Sequence, residues 1–175
     1  MLARTDRPLC ARCTVLLWFV LAAAGCAGEE TVAAPHFETR LVLKDTAGRE
    51  SNTFQHSDRI TLAVIIRNRS NAPRTLTVPS SQTYDCIVYA RDKKEVWRWS
   101  AGRMFAQVIT ELTFAPGESR TFTATWDLTD RTGTPLSPGD YSAVGLVPGR
   151  APGLTSSPVT FIIRPPGAKK PPRTN

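Results

Sequence analysis

The segment that decides the fold is "SSQTYDCIVYARDKKEVWRWSAGRMF", residues 80–105. Its first part, "TYDCIVYA", is rich in β-branched and aromatic residues, which favour strands. The polar run "RDKKE" that follows has the length and composition of a hairpin connection. The segment therefore predicts two antiparallel strands, Thr83–Ala90 and Val96–Ser100.

Two tryptophans stand two residues apart in the second of these strands. Residues two apart in a strand point to the same face, so Trp97 and Trp99 would form one aromatic ridge while Arg98 faces the other way. On a helix the same pair would diverge by about 200°. The ridge is either part of a core or a contact site. Trp97 is expected in the core, and Trp99 is a candidate protein contact.

Alternation of apolar and polar residues continues along the rest of the chain. Phe37, Thr39, Leu41 and Leu43 would share one face, as would the series Ile60, Leu62, Val64 and Ile66. Further short alternating runs, among them "RTLTV", "QVITELTF", "SRTFTATW", "DYSAVGLV" and "SPVTFIIR", are separated by turns rich in Pro and Gly. This pattern predicts an all-β protein, a sandwich or a barrel, with Trp126 in its core and Tyr141 at a corner.

The N-terminus reads as an export signal. Three arginines precede the uncharged run "TVLLWFVLAAAG", and Cys26 follows directly, as in the signals of bacterial lipoproteins. We expect residues 1–25 to be a signal peptide, Cys26 to carry the lipid, and residues 26–35 to be a flexible tether. With Ala27 after the cysteine, the predicted location is the cell envelope, anchored in the outer membrane. The alternative is an ordinary cleaved signal with an incidental cysteine.

Export changes what the cysteines and the charge mean. Cys10 and Cys13 would leave with the signal and Cys26 would be acylated, so Cys86 would be a lone, buried thiol. The whole chain has a net charge of +7; without residues 1–25 it has 19 basic and 14 acidic residues, or +5. Residues 165–175 form a basic tail rich in Pro and Lys that we expect to be disordered. Nucleic acid is not an expected partner of an exported chain of this kind.

Residues for catalysis or metal binding are few. The chain has two histidines, and the run "HSD" at residues 56–58 has the composition of a turn, since a catalytic triad converges from separate elements. The segment "DLTDRTG" that starts at Asp127 fails as a calcium loop because a twelve-residue loop would end at Pro138 instead of Glu. We expect no enzyme activity, no metal and no cofactor.

The order of several motifs resembles the BsuPI-type intracellular proteinase inhibitor domain. The resemblance covers roughly residues 37–163 and rests on "SSQTYDCIVY", "EVWRWSAGRMF", "LTFAPGESRTFTATWD" and "LSPGDYSAVG". The matching positions are Gln82, Tyr84, Asp85, Val96, Trp97, Trp99, Ser100, Phe105, Pro116, Gly117, Glu118, Trp126, Asp127, Pro138, Gly139 and Tyr141.

This resemblance implies an immunoglobulin-like antiparallel β-sandwich over residues 36–164, named for inhibition of an intracellular serine protease. An exported chain would not meet that target. Inhibition needs a rigid exposed loop, and two loops are candidates. One surrounds Arg103 and Met104, and the other surrounds Arg150 and Leu154.

Two functions are carried forward from the sequence. The first is a protein-binding or scaffolding module of the cell envelope, held to the membrane by its lipid. The alternative is inhibition of a subtilisin-like serine protease through an exposed loop. An enzyme or a carbohydrate-binding role is a third, weaker reading.

Overall fold

The computed structural model describes residues 36–149 and 154–167 of the chain. These residues form ten strands and no helix that could cross a membrane. The strands are β1 (Phe37–Lys44), β2 (Thr53–Gln55), β3 (Ile60–Asn68), β4 (Arg74–Val78), β5 (Asp85–Ala90), β6 (Glu95–Arg98), β7 (Thr110–Phe114), β8 (Ser119–Trp126), β9 (Gly139–Leu146) and β10 (Val159–Arg164).

The strands form a three-stranded sheet, a five-stranded sheet and a two-stranded ribbon. Their orders are β1-β3-β8, β2-β10-β9-β5-β6 and β4-β7. The predicted all-β sandwich is confirmed. All strand pairs are antiparallel except β2 and β10, which run parallel. Strand β2 was not predicted from the sequence, because three residues are too few to show an alternating pattern.

The hairpin predicted from the opening segment is present. β5 and β6 pair antiparallel with Val88 opposite Trp97, and the register shifts between Val88 and Tyr89. The first strand begins at Asp85, two residues later than predicted. Lys93 turns the chain with a φ of 66°, a left-handed conformation that is uncommon outside glycine.

The predicted inner faces of β1 and β3 are confirmed. Phe37, Thr39, Leu41 and Leu43 are all buried, and the alternating series from Ile60 to Ile66 is fully buried. Side chains from all three sheets contribute to one hydrophobic core cluster. Burial of this kind contributes about 25 cal/mol for each Å² of apolar surface removed from water, and it is the main force that holds the sheets together.

At Gly145 in β9 the five-stranded sheet lies directly against side chains of the three-stranded sheet. A Cβ atom at this position would lie 2.9 Å from Cγ2 of Val64 and 3.4 Å from side-chain atoms of Leu41. Glycine is therefore required here by space, since its φ lies outside the left-handed region.

Residues 33–175 form one compact unit, which contains the entire core cluster. A chain of this length with its own core is expected to fold independently. The predicted signal peptide, Cys26, the tether, Arg150 and most of the tail lie outside the described residues.

Candidate functional site

An aromatic cluster lies beside the hairpin, and it consists of Tyr84, Trp99, Phe105 and Phe122. Tyr84 stacks on Trp99 with ring centroids 4.2 Å apart and on Phe122 at 5.5 Å. Phe105 lies 5.7 Å from Trp99. All four side chains are half-buried, so the cluster lies between the hydrophobic core and the surface.

The carboxylate of Asp85 organises the backbone below this cluster. It accepts hydrogen bonds from the N–H of Ser100 at 3.1 Å and from its Oγ at 2.7 Å. It also accepts from the N–H of Cys86 at 2.9 Å and from the Arg98 guanidinium at 3.2 Å. Because Asp85 is buried, these bonds fix the point at which the chain leaves β6.

The chain then forms an exposed segment, residues 100–109, which we call the Met104 loop. Its first half is held against Trp99. The N–H of Arg103 donates to the Ser100 carbonyl at 3.1 Å and its Nε donates to the Trp99 carbonyl at 2.8 Å. The Arg103 guanidinium lies 4.6 Å from the Trp99 ring centroid, within the range of a cation–π contact. Gly102 permits the turn with a φ of 73°.

The second half of the loop is held by Ser81. The N–H of Ser81 donates to the Ala106 carbonyl at 2.9 Å, and the N–H of Ala106 donates to Ser81 Oγ at 2.9 Å. Met104 stands between these two attachments with its side chain 99% exposed. Met104 is therefore an exposed apolar side chain on a loop that is held on both sides.

Two further apolar side chains follow in the same loop. Val108 is 54% exposed and Ile109 is 74% exposed. Alternation within "QVITELTF" predicted that they belong to a strand, but β7 begins at Thr110. The strand therefore starts three residues later than predicted. Alternation could not show this, because whether residues 107–109 have a strand partner depends on residues elsewhere in the chain.

The other matched residues lie in the body of the domain. Trp97 is half-buried and stacks on buried Trp126 at 5.1 Å, and Trp126 donates from Nε1 to the Thr129 carbonyl at 2.8 Å. Tyr141 donates its hydroxyl to the Ser137 carbonyl at 2.7 Å, across a corner of the chain. The backbone N–H of Gln82 donates to Ser80 Oγ at 3.2 Å.

The second candidate loop offers less. Leu154 is buried, with 4% of its surface exposed, and belongs to the hydrophobic core. Its carbonyl accepts a hydrogen bond from the N–H of Val147 at 2.8 Å. The side chain of Leu154 is therefore a packing residue and does not meet solvent, whereas Arg150 lies outside the described residues.

Among the residues that the structure describes, no three acidic, His or Cys side chains come together as a metal site would require. Burial raises the pKa of the Cys86 thiol to about 12, with a further contribution from the Asp85 carboxylate. A thiol in this state is a poor nucleophile near neutral pH.

Comparison with solved structures finds matches of low similarity only. The chain is 14% identical to the alkylpurine DNA glycosylase AlkC of Pseudomonas fluorescens, with a TM-score of 0.44 over 75% of this chain and 31% of that one. It is 15% identical to the sporulation control protein Spo0M of Bacillus subtilis, with a TM-score of 0.43 over 74% and 50%. For the CARDB domain of a Pyrococcus furiosus protein the identity is 14% and the TM-score 0.39, over 74% and 89%.

The chain thus spans about a third of the glycosylase and half of Spo0M. No curated protein sequence matches it. A family model gives the decisive comparison: the model described as intracellular proteinase inhibitor, BsuPI, matches residues 48–152, which include the hairpin, the aromatic cluster and the Met104 loop. The chain therefore belongs to the BsuPI intracellular proteinase inhibitor family.

Proposed function

We propose that this chain is an envelope lipoprotein, anchored at Cys26, whose β-sandwich binds a protein partner through the Met104 loop. The observation that carries the proposal is the 99% exposure of Met104 on a loop that is braced on both sides. Little conformational entropy is lost when a braced loop binds, so its exposed apolar surface contributes more of its gross energy to affinity.

Site-specific photo-crosslinking in intact cells tests this proposal. A photoreactive amino acid replaces Met104 in the full chain, and a matched chain carries it at Ile162, which is also an exposed apolar residue, 43% exposed, but lies in β10. We expect a discrete crosslinked product from position 104 and none from position 162. No product from either position, or the same product from both, would reject the loop as the contact site.

Inhibition of a serine protease is the second candidate function. It is favoured by membership of a proteinase inhibitor family together with the presentation of Met104. Met104 would enter an apolar specificity pocket, as in a subtilisin-like protease. Arg103 is less suited to a trypsin-like pocket, because its guanidinium is held over Trp99 and its Nε is bonded to the Trp99 carbonyl.

Titration of residues 33–175 against subtilisin-like, chymotrypsin-like and trypsin-like proteases separates the two functions. The inhibitor reading predicts stoichiometric loss of activity of the subtilisin-like protease without cleavage of the domain. Met104→Asp should abolish this effect and Met104→Leu should preserve it. Rapid cleavage of the domain, or unchanged protease activity, would reject inhibition and leave the crosslinking result to decide whether the loop binds another protein.

A further inference from the structure

Four arginines surround the end of the sandwich at which the chain enters β1. The entry point is fixed by the pairing of Phe37 with Asn68 and by a 2.8 Å hydrogen bond from the N–H of Arg69 to the His36 carbonyl. The arginines, which we call the basic end, are Arg67, Arg69, Arg74 and Arg120. They come from β3, the turn after it, β4 and β8, so the fold collects them from four places in the sequence.

Acidic side chains neutralise part of this charge. Glu38 lies 3.7 Å from Arg69, and Glu118 lies 2.8 Å from Arg120. Arg67 is exposed and has no acidic partner among the residues that the structure describes. The basic end therefore keeps a net positive charge, and exposed charges of one sign attract a surface of the other sign over about 10 Å.

A surface pocket of about 380 Å³ opens between Arg67 and Arg69. Its remaining walls are the turn from Asn68 to Asn71 and the turn at Pro116 and Gly117. The amide of Asn68 is already used, because its Nδ2 donates to three backbone carbonyls and its Oδ1 accepts from Ser70. Arg67 and Arg69 are the charged residues that line this pocket, and guanidinium groups suit phosphate oxygens.

We propose that the basic end binds an anionic phospholipid surface and takes a headgroup phosphate between Arg67 and Arg69. Charge complementarity is one reason. The other is where the chain outside the described residues ends: only nine residues, 27–35, separate Cys26 from His36 at the basic end. The ten steps from Cys26 to His36 span at most about 35 Å, so a lipid on Cys26 would hold this end within that distance of the headgroups.

The same orientation determines where the Met104 loop faces. In the β4–β7 ribbon, Arg74 pairs with Phe114 at the basic end and Val78 pairs with Thr110 at the opposite end. The Met104 loop joins the ribbon at Thr110. When the basic end lies on the bilayer, the loop therefore joins the ribbon at the end away from the membrane, where a soluble protein can reach it.

Vesicle flotation of residues 33–175 tests the proposal without any lipid anchor. Vesicles contain either phosphatidylcholine alone or equal parts of phosphatidylcholine and phosphatidylglycerol. The unaltered domain should float with the anionic vesicles and stay behind with the neutral ones. The double variant Arg67→Glu, Arg69→Glu should bind the anionic vesicles at least about tenfold more weakly.

A matched control carries Arg91→Glu and Lys94→Glu, the same change of charge in the exposed turn between β5 and β6. Arg91 has a weak ion pair with Asp140 at 3.9 Å, much like that of Arg69. Arg91 lies away from the basic end. It lines a pocket together with Asn52. Asn52 follows Ser51, whose N–H donates to the Leu43 carbonyl near the end of β1 that is opposite to the basic end. This control should retain most of the binding.

Three results would overturn the proposal: no flotation of the unaltered domain with anionic vesicles, equal flotation with neutral vesicles, or an equal loss in both double variants. The last result would mean that net charge alone decides the binding. Urea unfolding of each variant shows whether it is folded. If the double glutamate variant is not, Arg67→Gln replaces it, since Arg67 makes no ion pair with the described residues, and a loss of binding is again expected.

Discussion

Tyr84 connects the two large sheets by a ring contact and a hydrogen bond. Its ring stacks on Trp99 at 4.2 Å and on Phe122 of β8 at 5.5 Å, and its hydroxyl donates to the carbonyl of Thr123 at 2.7 Å. Thr123 belongs to β8, the edge strand of the three-stranded sheet, whereas Tyr84 precedes β5 of the five-stranded sheet. The bond satisfies a backbone group of an edge strand and holds the aromatic cluster in place.

Tyr84→Phe removes this hydrogen bond and keeps the ring. The free energy of unfolding should fall by about 0.5–1.5 kcal/mol, the usual net value of one hydrogen bond. Urea unfolding of residues 33–175 measures the change. Thr75→Val is the control, because it removes the 3.0 Å bond between two exposed hydroxyls, Thr75 and Thr113, and should change stability by less than about 0.5 kcal/mol. Equal effects of both substitutions would contradict a special role of Tyr84.

Asp85→Ala should destabilise the domain more than any change at the surface. It removes a buried acceptor for Ser100 and leaves Arg98 with Glu95 alone. Because Arg98 is 34% exposed and can turn toward water, we expect a loss of about 2–4 kcal/mol, at the lower side of the values for broken buried ion pairs.

Glu95→Ala is the control for this measurement, since it removes the other carboxylate that bonds to Arg98. That carboxylate is 29% exposed, and its loss should cost about 1 kcal/mol or less. If the two substitutions had the same effect, the bonds from Asp85 to Ser100 would contribute nothing to stability.

Strands such as β8 and β10 could be predicted because buried and exposed side chains alternate along them, whereas β5, which is buried on both faces, was predicted from its β-branched and aromatic composition. Alternation located β1, β3 and β8 within one or two residues, and the polar run before Glu95 located the hairpin. The parallel strand β2 could not be predicted in this way. Its three residues pair with β10, more than a hundred residues later in the chain, so the signal is tertiary.

The candidate site was predicted in part. The sequence indicated Met104 and Trp99, but it did not show the attachments that give the loop its shape. In both, a side chain bonds to a backbone group: Ser81 Oγ accepts from the N–H of Ala106, and Arg103 Nε donates to the Trp99 carbonyl. Serine and arginine can bond to many backbone groups, so the residue types alone do not show which group each one reaches. Leu154 shows the opposite failure, because its position between turn residues suggested exposure and its side chain packs in the core.

Cys86 should be unreactive in the folded domain. Its thiol pKa of about 12 leaves a thiolate fraction of about 10⁻⁴ at pH 8, and the side chain is fully buried. Residues 33–175 contain no other cysteine, so a thiol reagent reports on it alone. Reaction should be slow in buffer and fast in urea; fast reaction in buffer would show that the hairpin opens readily.

The same thiol should make stability depend on alkaline pH. Unfolding returns the pKa of Cys86 to its ordinary value of 9.0, so above pH 9 the unfolded chain loses a proton that the folded chain keeps until about pH 12. Stability should therefore fall as pH rises through this range. Burial also raises the pKa of Tyr84 and Tyr141, which adds to the fall above pH 10. Cys86→Ala should flatten the slope between pH 9 and 10, and an unchanged slope would contradict this assignment.

Gly145→Ala should separate the two sheets slightly. The added methyl group would meet Cγ2 of Val64 at 2.9 Å, and overpacking of this kind costs about 1–3 kcal/mol. Val64→Ala alone should cost a similar or larger amount because it leaves a cavity. In the double variant the new methyl group fills part of that cavity. Its loss of stability should therefore be smaller than the sum of the losses in the two single variants. Simple additivity would contradict the close approach.

Met104 and Phe105 are neighbours in the loop with opposite environments, and they should respond oppositely to substitution. Met104 is 99% exposed, so Met104→Ala should leave stability unchanged within about 0.5 kcal/mol. Phe105 lies 5.7 Å from Trp99 in the half-buried aromatic cluster, so Phe105→Ala should loosen the loop.

Hydrogen exchange at Arg103 and Ala106, whose amides donate to Ser100 and Ser81, measures this loosening. Exchange should speed up in Phe105→Ala and stay constant in Met104→Ala. Constant exchange in both variants would mean that the backbone bonds alone brace the loop, and partner binding should then depend on Met104 and hardly on Phe105.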